Sequence, residues 1–180
     1  MLRIGICDDV YDARLVLRST LERVLERRTE GQFFEFSSGE GLLRWLGHHA
    51  GELDLVFLDM EMGELDGMET ARRLRAADRG LQLVFVTGYA DHVFDGYSVG
   101  ALGYLMKPPK QEQLEEVLDR AQAALYRELG RVWRRLPQGW RTLVLSSHTE
   151  FERTFGRPAD KKRKLYNGML KCDLFMYGNV

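Results

Sequence analysis

Five short apolar runs divide the first two thirds of this chain, and each is followed by a stretch with helical spacing. The runs are "LRIGIC", "QFFEFSSG", "LDLVFLD", "LQLVFVTG" and "ALGYLMKP". "LDLVFLD" is apolar at consecutive rather than alternate positions, as a strand covered on both faces must be. Between the runs, apolar residues recur about one turn apart. Ala13, Val16, Leu17, Leu21, Val24 and Leu25 mark a helix over about residues 12–28, with Asp12 as its N-cap. "GEGLLRWLGHH" and "ADHVFDGYSVG" fit short helices, and "DGMETARRLRAAD" carries Met68, Ala71, Leu74 and Arg75 at helical spacing. "QEQLEEVLDRAQAALYREL" is amphipathic through Leu114, Val117, Leu118, Ala121 and Leu125. Such alternation predicts an α/β domain, a doubly wound parallel sheet with helices on both faces. Sites in such sheets lie outside the carboxyl ends of the strands, at the switch point of the strand order.

The residues at those ends are therefore the ones to read. The first run ends in Asp8 and Asp9, the third in Asp59, the fourth in Thr87, and the fifth in Lys107 followed by Pro108. Taken singly, each has a plainer use. Asp8 or Asp9 can cap a helix, Thr87 can serve a turn, and Lys107 can be a solvated lysine. Together they place three carboxylates, a hydroxyl and an amine on one edge of a sheet.

Neighbouring carboxylates resist ionising together, and a divalent cation removes that cost. Oxygen donors select a hard ion such as Mg²⁺. An aspartate beside such an ion can attack phosphorus and form an acyl phosphate. A lysine ammonium then stabilises the charge on the transferring group, and Thr87 can donate to its oxygens. No Gly-rich phosphate loop is present, so the site is not built to hold a nucleotide.

"ICDD", "VFLDMEM", "VTGY" and "YLMKP" resemble the receiver domain of bacterial two-component response regulators, over about residues 1–128. The resemblance implies a flavodoxin-like (CheY-like) five-stranded sheet of order 2-1-3-4-5. It implies that Asp59 accepts phosphoryl from a histidine kinase. Asp8, Asp9 and Asp59, with the backbone carbonyl of Glu61, would bind Mg²⁺. Thr87 and Tyr104 would be the switch residues, and Lys107–Pro108 a cis peptide. The fourth helix, fifth strand and fifth helix would form the output and homodimer face, loaded here with Tyr89, Val93, Phe94 and Tyr97. "VTGYADHVFDGYSVGALGYLMKPPK" is similar to receivers that precede LytTR-type DNA-binding domains, which implies regulation of transcription.

Nearby residues have more modest expectations. Glu61 and Glu64 read as a solvated acidic loop, with Glu61 alternatively steering water at the acyl phosphate. Asp66 reads as the N-cap of the next helix. His48 and His49 read as a cationic C-terminal cap. Trp45 and Cys7 read as core residues.

Residues 129–180 are different in kind. They hold 11 Lys/Arg against 4 Asp/Glu, a net of +7, whereas the preceding residues carry 15 against 23, a net of −8. This segment shows one strand, "RTLVLSS", and no paired amphipathic helices of a helix-turn-helix. It is expected to be a truncated or incomplete output region, a short interaction tail, or an out-of-frame remnant, loosely ordered or docked on the receiver. Its charge suits DNA phosphates, although a DNA-binding output belongs to a full-length relative more than to this chain. No apolar stretch reaches the roughly 20 residues of a membrane span, and two cysteines without metal-ligand spacing point to a reducing, cytoplasmic setting.

Two other functions stay open at this level. A stand-alone receiver would act by protein–protein contact. A small Mg²⁺-dependent aspartyl phosphotransferase or phosphatase would use the same acids, although only Glu61 stands where its second acid should be. The site favours a phosphoacceptor switch, whose chemistry is limited to its own phosphorylation and dephosphorylation, over an enzyme.

Overall fold

Strand β1 (Leu2–Cys7) lies between β2 (Gly31–Phe36) and β3 (Leu55–Leu58). Strands β4 (Gln82–Thr87) and β5 (Gly103–Met106) continue the sheet beyond β3. Every pairing is parallel, and the order is β2-β1-β3-β4-β5, the flavodoxin-like order. The computed structural model describes residues 2–26, 28, 30–88, 99–167 and 170–178. Most of the expected helix in "ADHVFDGYSVG", with Tyr89, Val93, Phe94 and Tyr97, lies outside them.

The central strands are buried along their whole length: Leu55, Val56, Phe57 and Leu58 of β3 are all at or below 1% exposure. That is why the run is apolar without alternation. Helix α1 (Tyr11–Leu25) buries Leu17, Leu21, Val24 and Leu25. Val16 stays half exposed, so the buried stripe is narrower than the spacing suggested. The N-cap of α1 is Val10, not Asp12, which sits in the first turn where a negative charge suits the helix dipole. Just outside the helix, the Asp8 carboxylate accepts from the Val10 amide at 2.9 Å.

Helix α2 (Gly39–Leu46) starts at Ser38, whose hydroxyl accepts from the Gly41 amide. At its end His49 stacks on Trp45, ring centroids 4.2 Å apart, and bonds the Trp45 carbonyl. Helix α3 (Gly67–Ala77) starts as expected at Asp66, which accepts from the Glu69 amide at 2.7 Å. Cys7, Leu42, Val56, Leu58, Phe85 and Leu74 share one core, with Trp45 packed against it.

The chain divides into two units, Met1–Leu118 and Asp119–Val180. Helix α4 (Gln111–Trp133) runs four residues past the expected boundary near Leu129. The second unit is not a loose tail with one strand. It contains β6 (Arg141–Ser146), a short helix α5 (Phe151–Phe155), β7 (Lys161–Asn167) and β8 (Leu170–Gly178). The three strands form an antiparallel sheet of order β6-β8-β7. Trp133, Phe151, Phe155, Phe175 and Tyr177 are buried together as its core. Phe155 meets Tyr177 at 4.4 Å and Phe151 meets Phe175 at 4.5 Å between ring centroids. Strand β7 was invisible in the sequence because Lys161 to Tyr166 are all exposed, which leaves no apolar alternation to read.

Candidate functional site

Parallel register brings the acids together. Cys7 of β1 stands opposite Leu58 of β3, so the next residues, Asp8 and Asp59, leave adjacent strands side by side. The Asp59 amide donates to the Cys7 carbonyl at 2.8 Å, and the Asp8 amide to the Phe36 carbonyl at 3.1 Å. The two side chains are therefore fixed by the sheet itself, and both residues are 5% exposed. Asp9, one position on, is exposed. One carboxylate oxygen from each of Asp8, Asp9 and Asp59 lies within 4.8 Å of the others.

Lys107 follows β5, two strands from Asp59, a span of roughly 9.5 Å across the sheet. Only a long side chain can span that distance, and lysine brings a single charge on a flexible four-carbon stem. Its backbone is held by a bond from its amide to the Thr87 carbonyl at 2.8 Å. Its ammonium reaches Asp59 Oδ2 at 2.7 Å and also Asp8 Oδ2. The Lys107–Pro108 peptide is cis.

One cation shared by two buried carboxylates leaves the group short of positive charge. Burial pushes the Asp59 carboxyl above its ordinary range, with a further push from Asp8; the Lys107 bond and charge pull it down but do not fully offset this. Burial pulls the Lys107 ammonium down, yet the bonds and charges of Asp59 and Asp8 together outweigh it, and its pKa ends raised. An all-oxygen set with excess negative charge fits Mg²⁺ in ligand type and in charge.

The other expected residues fall around this centre. Thr87 ends β4 and is fully buried. Tyr104 in β5 is half-buried against the core, its ring 6.2 Å from Phe85. Glu61 has an exposed side chain, and its amide approaches Asp59 Oδ1 at 3.4 Å. Glu64 is exposed. Beside the acids runs an open groove lined by Asp9, Glu61, Asp66, Arg72 and three methionines, Met60, Met62 and Met68.

Two contributors escaped the sequence reading. Arg14 donates to the Asp8 carbonyl at 2.6 Å, tying α1 to the site. Gly67 lets the start of α3 press on Asp59: a Cβ there would lie 2.0 Å from the Asp59 carbonyl oxygen. The Gly after Asp66 in "LDG" was the available signal, since a glycine opening a helix can mark a close approach.

The model of the response regulator receiver domain matches residues 4–119. The chain belongs to the response regulator receiver domain family. It is similar to the sensory transduction protein LytT of Bacillus anthracis, 31% identical over 120 residues, 67% of this chain and 47% of that one. It is also similar to the transcriptional regulatory protein YpdB of Escherichia coli, 27% identical over 123 residues, 68% of this chain and 48% of that one. The chain thus spans about half the length of these curated relatives. Its fold matches the chemotaxis protein CheY4 of Vibrio cholerae with a TM-score of 0.57 and 22% identity, over 67% of this chain and 98% of that one. Receivers of this family work in two-component systems, generally as switches rather than as classical enzymes. Among the described residues, no helix is long and apolar enough to cross a membrane.

Proposed function

We propose that this receiver takes a phosphoryl group onto Asp59 from a histidine kinase and passes the change to an output. The observation that carries this reading is the Lys107 ammonium held between Asp59 and Asp8 at the ends of adjacent strands. Asp59 stands at the carboxyl end of β3, and its carboxylate oxygen is the nucleophile. It attacks the donor's phosphorus, the P–N bond to the donor imidazole breaks, and an acyl phosphate remains on Asp59. Lys107 already touches Asp59 Oδ2 at 2.7 Å and balances the phosphoryl charge without reorganising. Asp8, Asp9, Asp59 and the Glu61 carbonyl would hold Mg²⁺, which supplies the charge neutralisation that one lysine cannot.

Thr87, buried at the end of β4, is the group that turns toward the new phosphoryl oxygens. Tyr104, half-buried on the neighbouring strand, is the side chain whose position reports that turn. A receiver then acts by shifting a two-state equilibrium. Transcription is the output we infer, since YpdB is a transcriptional regulatory protein. A homodimer through the face of β5, α4 and the helix expected in "ADHVFDGYSVG", and a cytoplasmic location, belong to the same reading. Acetyl phosphate with Mg²⁺, read by intact mass, tests it. The expected result is one added phosphoryl on the wild type and none on Asp59→Asn. A gain that survives Asp59→Asn overturns the assignment.

A further inference from the structure

The two edges of the second unit's sheet are built differently. Strand β7 forms one edge and carries Lys161, Lys162, Arg163 and Lys164 in succession, all exposed. Charged side chains on an edge strand block pairing with another chain. Strand β6 forms the other edge with "RTLVLS", which has one charge, no proline and no acidic residue. Among the described residues, the backbone of Arg141–Ser146 bonds only to β8. On the same strand Leu143 is 66% and Leu145 51% exposed. A six-residue edge with free backbone groups and bare leucines is a template for strand addition.

We propose that β6 is a homodimer edge, pairing antiparallel with β6 of a second copy of this chain. The sequence of the strand selects this occupant. A two-fold axis at Val144 sets Thr142 against Ser146 of the partner subunit and Leu143 against Leu145 of the partner subunit. Residues of like parity then face each other, so the four leucines collect on one side of a continuous six-stranded sheet. Arg141, the only charge, falls opposite Ser147 of the partner subunit, so no like charges oppose. Self-pairing of β7 about its central residue would instead set Lys164 against Lys164 of the partner subunit, like charges directly opposed. This edge belongs to the second unit and the site at Asp59 to the first, and the pairing calls for no phosphorylation.

Sedimentation of the full chain from about 1 µM to about 1 mM covers the range expected of a small interface. The wild type is expected to pass from monomer to dimer. Leu143→Lys/Leu145→Lys is expected to raise the dissociation constant at least about tenfold, with Lys161→Ala/Arg163→Ala leaving it unchanged. Both leucines are exposed, so the lysine variant should keep the wild-type thermal midpoint. As a second measurement, Leu143→Cys/Leu145→Cys should form a covalent dimer on mild oxidation, because the native Cys7 and Cys172 are buried. A wild type monomeric throughout, a dimer indifferent to the lysine pair, or a cysteine variant that never cross-links overturns the proposal.

Discussion

Replacing Gly67 by alanine tests the link between helix packing and the acceptor carboxylate. The added Cβ would sit 2.0 Å from the Asp59 carbonyl oxygen, 2.8 Å from its carbonyl carbon and 2.8 Å from the Met60 Cα, whereas real Cβ contacts essentially never fall below 3.0 Å. The overlap with the oxygen is therefore 1.0 Å, and the three nearest atoms are all backbone, so rotating a side chain does not relieve it. Either the start of α3 retreats or the end of β3 bends. Retreat stretches the 2.9 Å bond from the Gly67 amide to the Met60 carbonyl. Overpacking of this kind costs about 1–3 kcal/mol, and loss of that bond adds about 1 kcal/mol. Better helix propensity returns less than about 1 kcal/mol at a first-turn position. The net loss is about 1–4 kcal/mol, which lowers the thermal midpoint by about 5–15 °C for a unit of this size. If the strain moves Asp59 by the full overlap, its 2.7 Å contact with Lys107 stretches to about 3.7 Å, beyond hydrogen-bond range. Phosphoryl uptake from acetyl phosphate should then fall by up to about 100-fold. Urea unfolding and the rate of mass gain measure both. An alanine variant with wild-type stability and uptake would refute the claim that α3 positions the acceptor.

Three further outcomes follow from the same geometry. Burial raises the Asp59 carboxyl above 3.8, so this group stabilises the fold below that value and the stabilisation is lost as pH rises through its folded pKa. Asp59→Asn should accordingly melt higher than the wild type at pH 7, with the gap closing as pH falls toward 3.8; a gap of opposite sign rejects this. Lys107→Met leaves two carboxylates, 8% and 5% exposed, without their cation. It should cost about 3 kcal/mol in chelator-treated buffer, and added Mg²⁺ should recover part of the loss by binding the folded state. Equal stability with and without Mg²⁺ would count against the acids as its site. Phe175→Ala removes the 1%-exposed centre of the second unit's core, and about 3–5 kcal/mol with it. Near-ultraviolet circular dichroism of the Trp133–Tyr177 cluster should collapse, whereas a loose tail would show no change.

The sequence alone determined the class of fold and the membership of the site in the first unit. A parallel sheet buried on both faces needs unbroken apolar runs, and its function-bearing residues must stand where those runs end. The placement of Asp8, Asp59, Thr87 and Lys107 at one sheet edge was legible for that reason, and Asp66 as a cap because capping is a local bond. What the sequence could not carry was anything set by residues distant along the chain. Helix α1 begins after Val10 and not at Asp12, and the carboxylate that meets the Val10 amide comes from Asp8, at the end of β1. The sharing of one ammonium between Asp8 and Asp59 depends on β4 lying between β3 and β5. The close approach at Gly67 depends on where α3 lands against β3. The second unit shows the contrast most plainly. Its β6 was legible as "RTLVLSS", but β7 is exposed from Lys161 to Tyr166 and gives no local pattern, and only the meeting of Trp133 with Phe151, Phe155, Phe175 and Tyr177 builds the core of the unit.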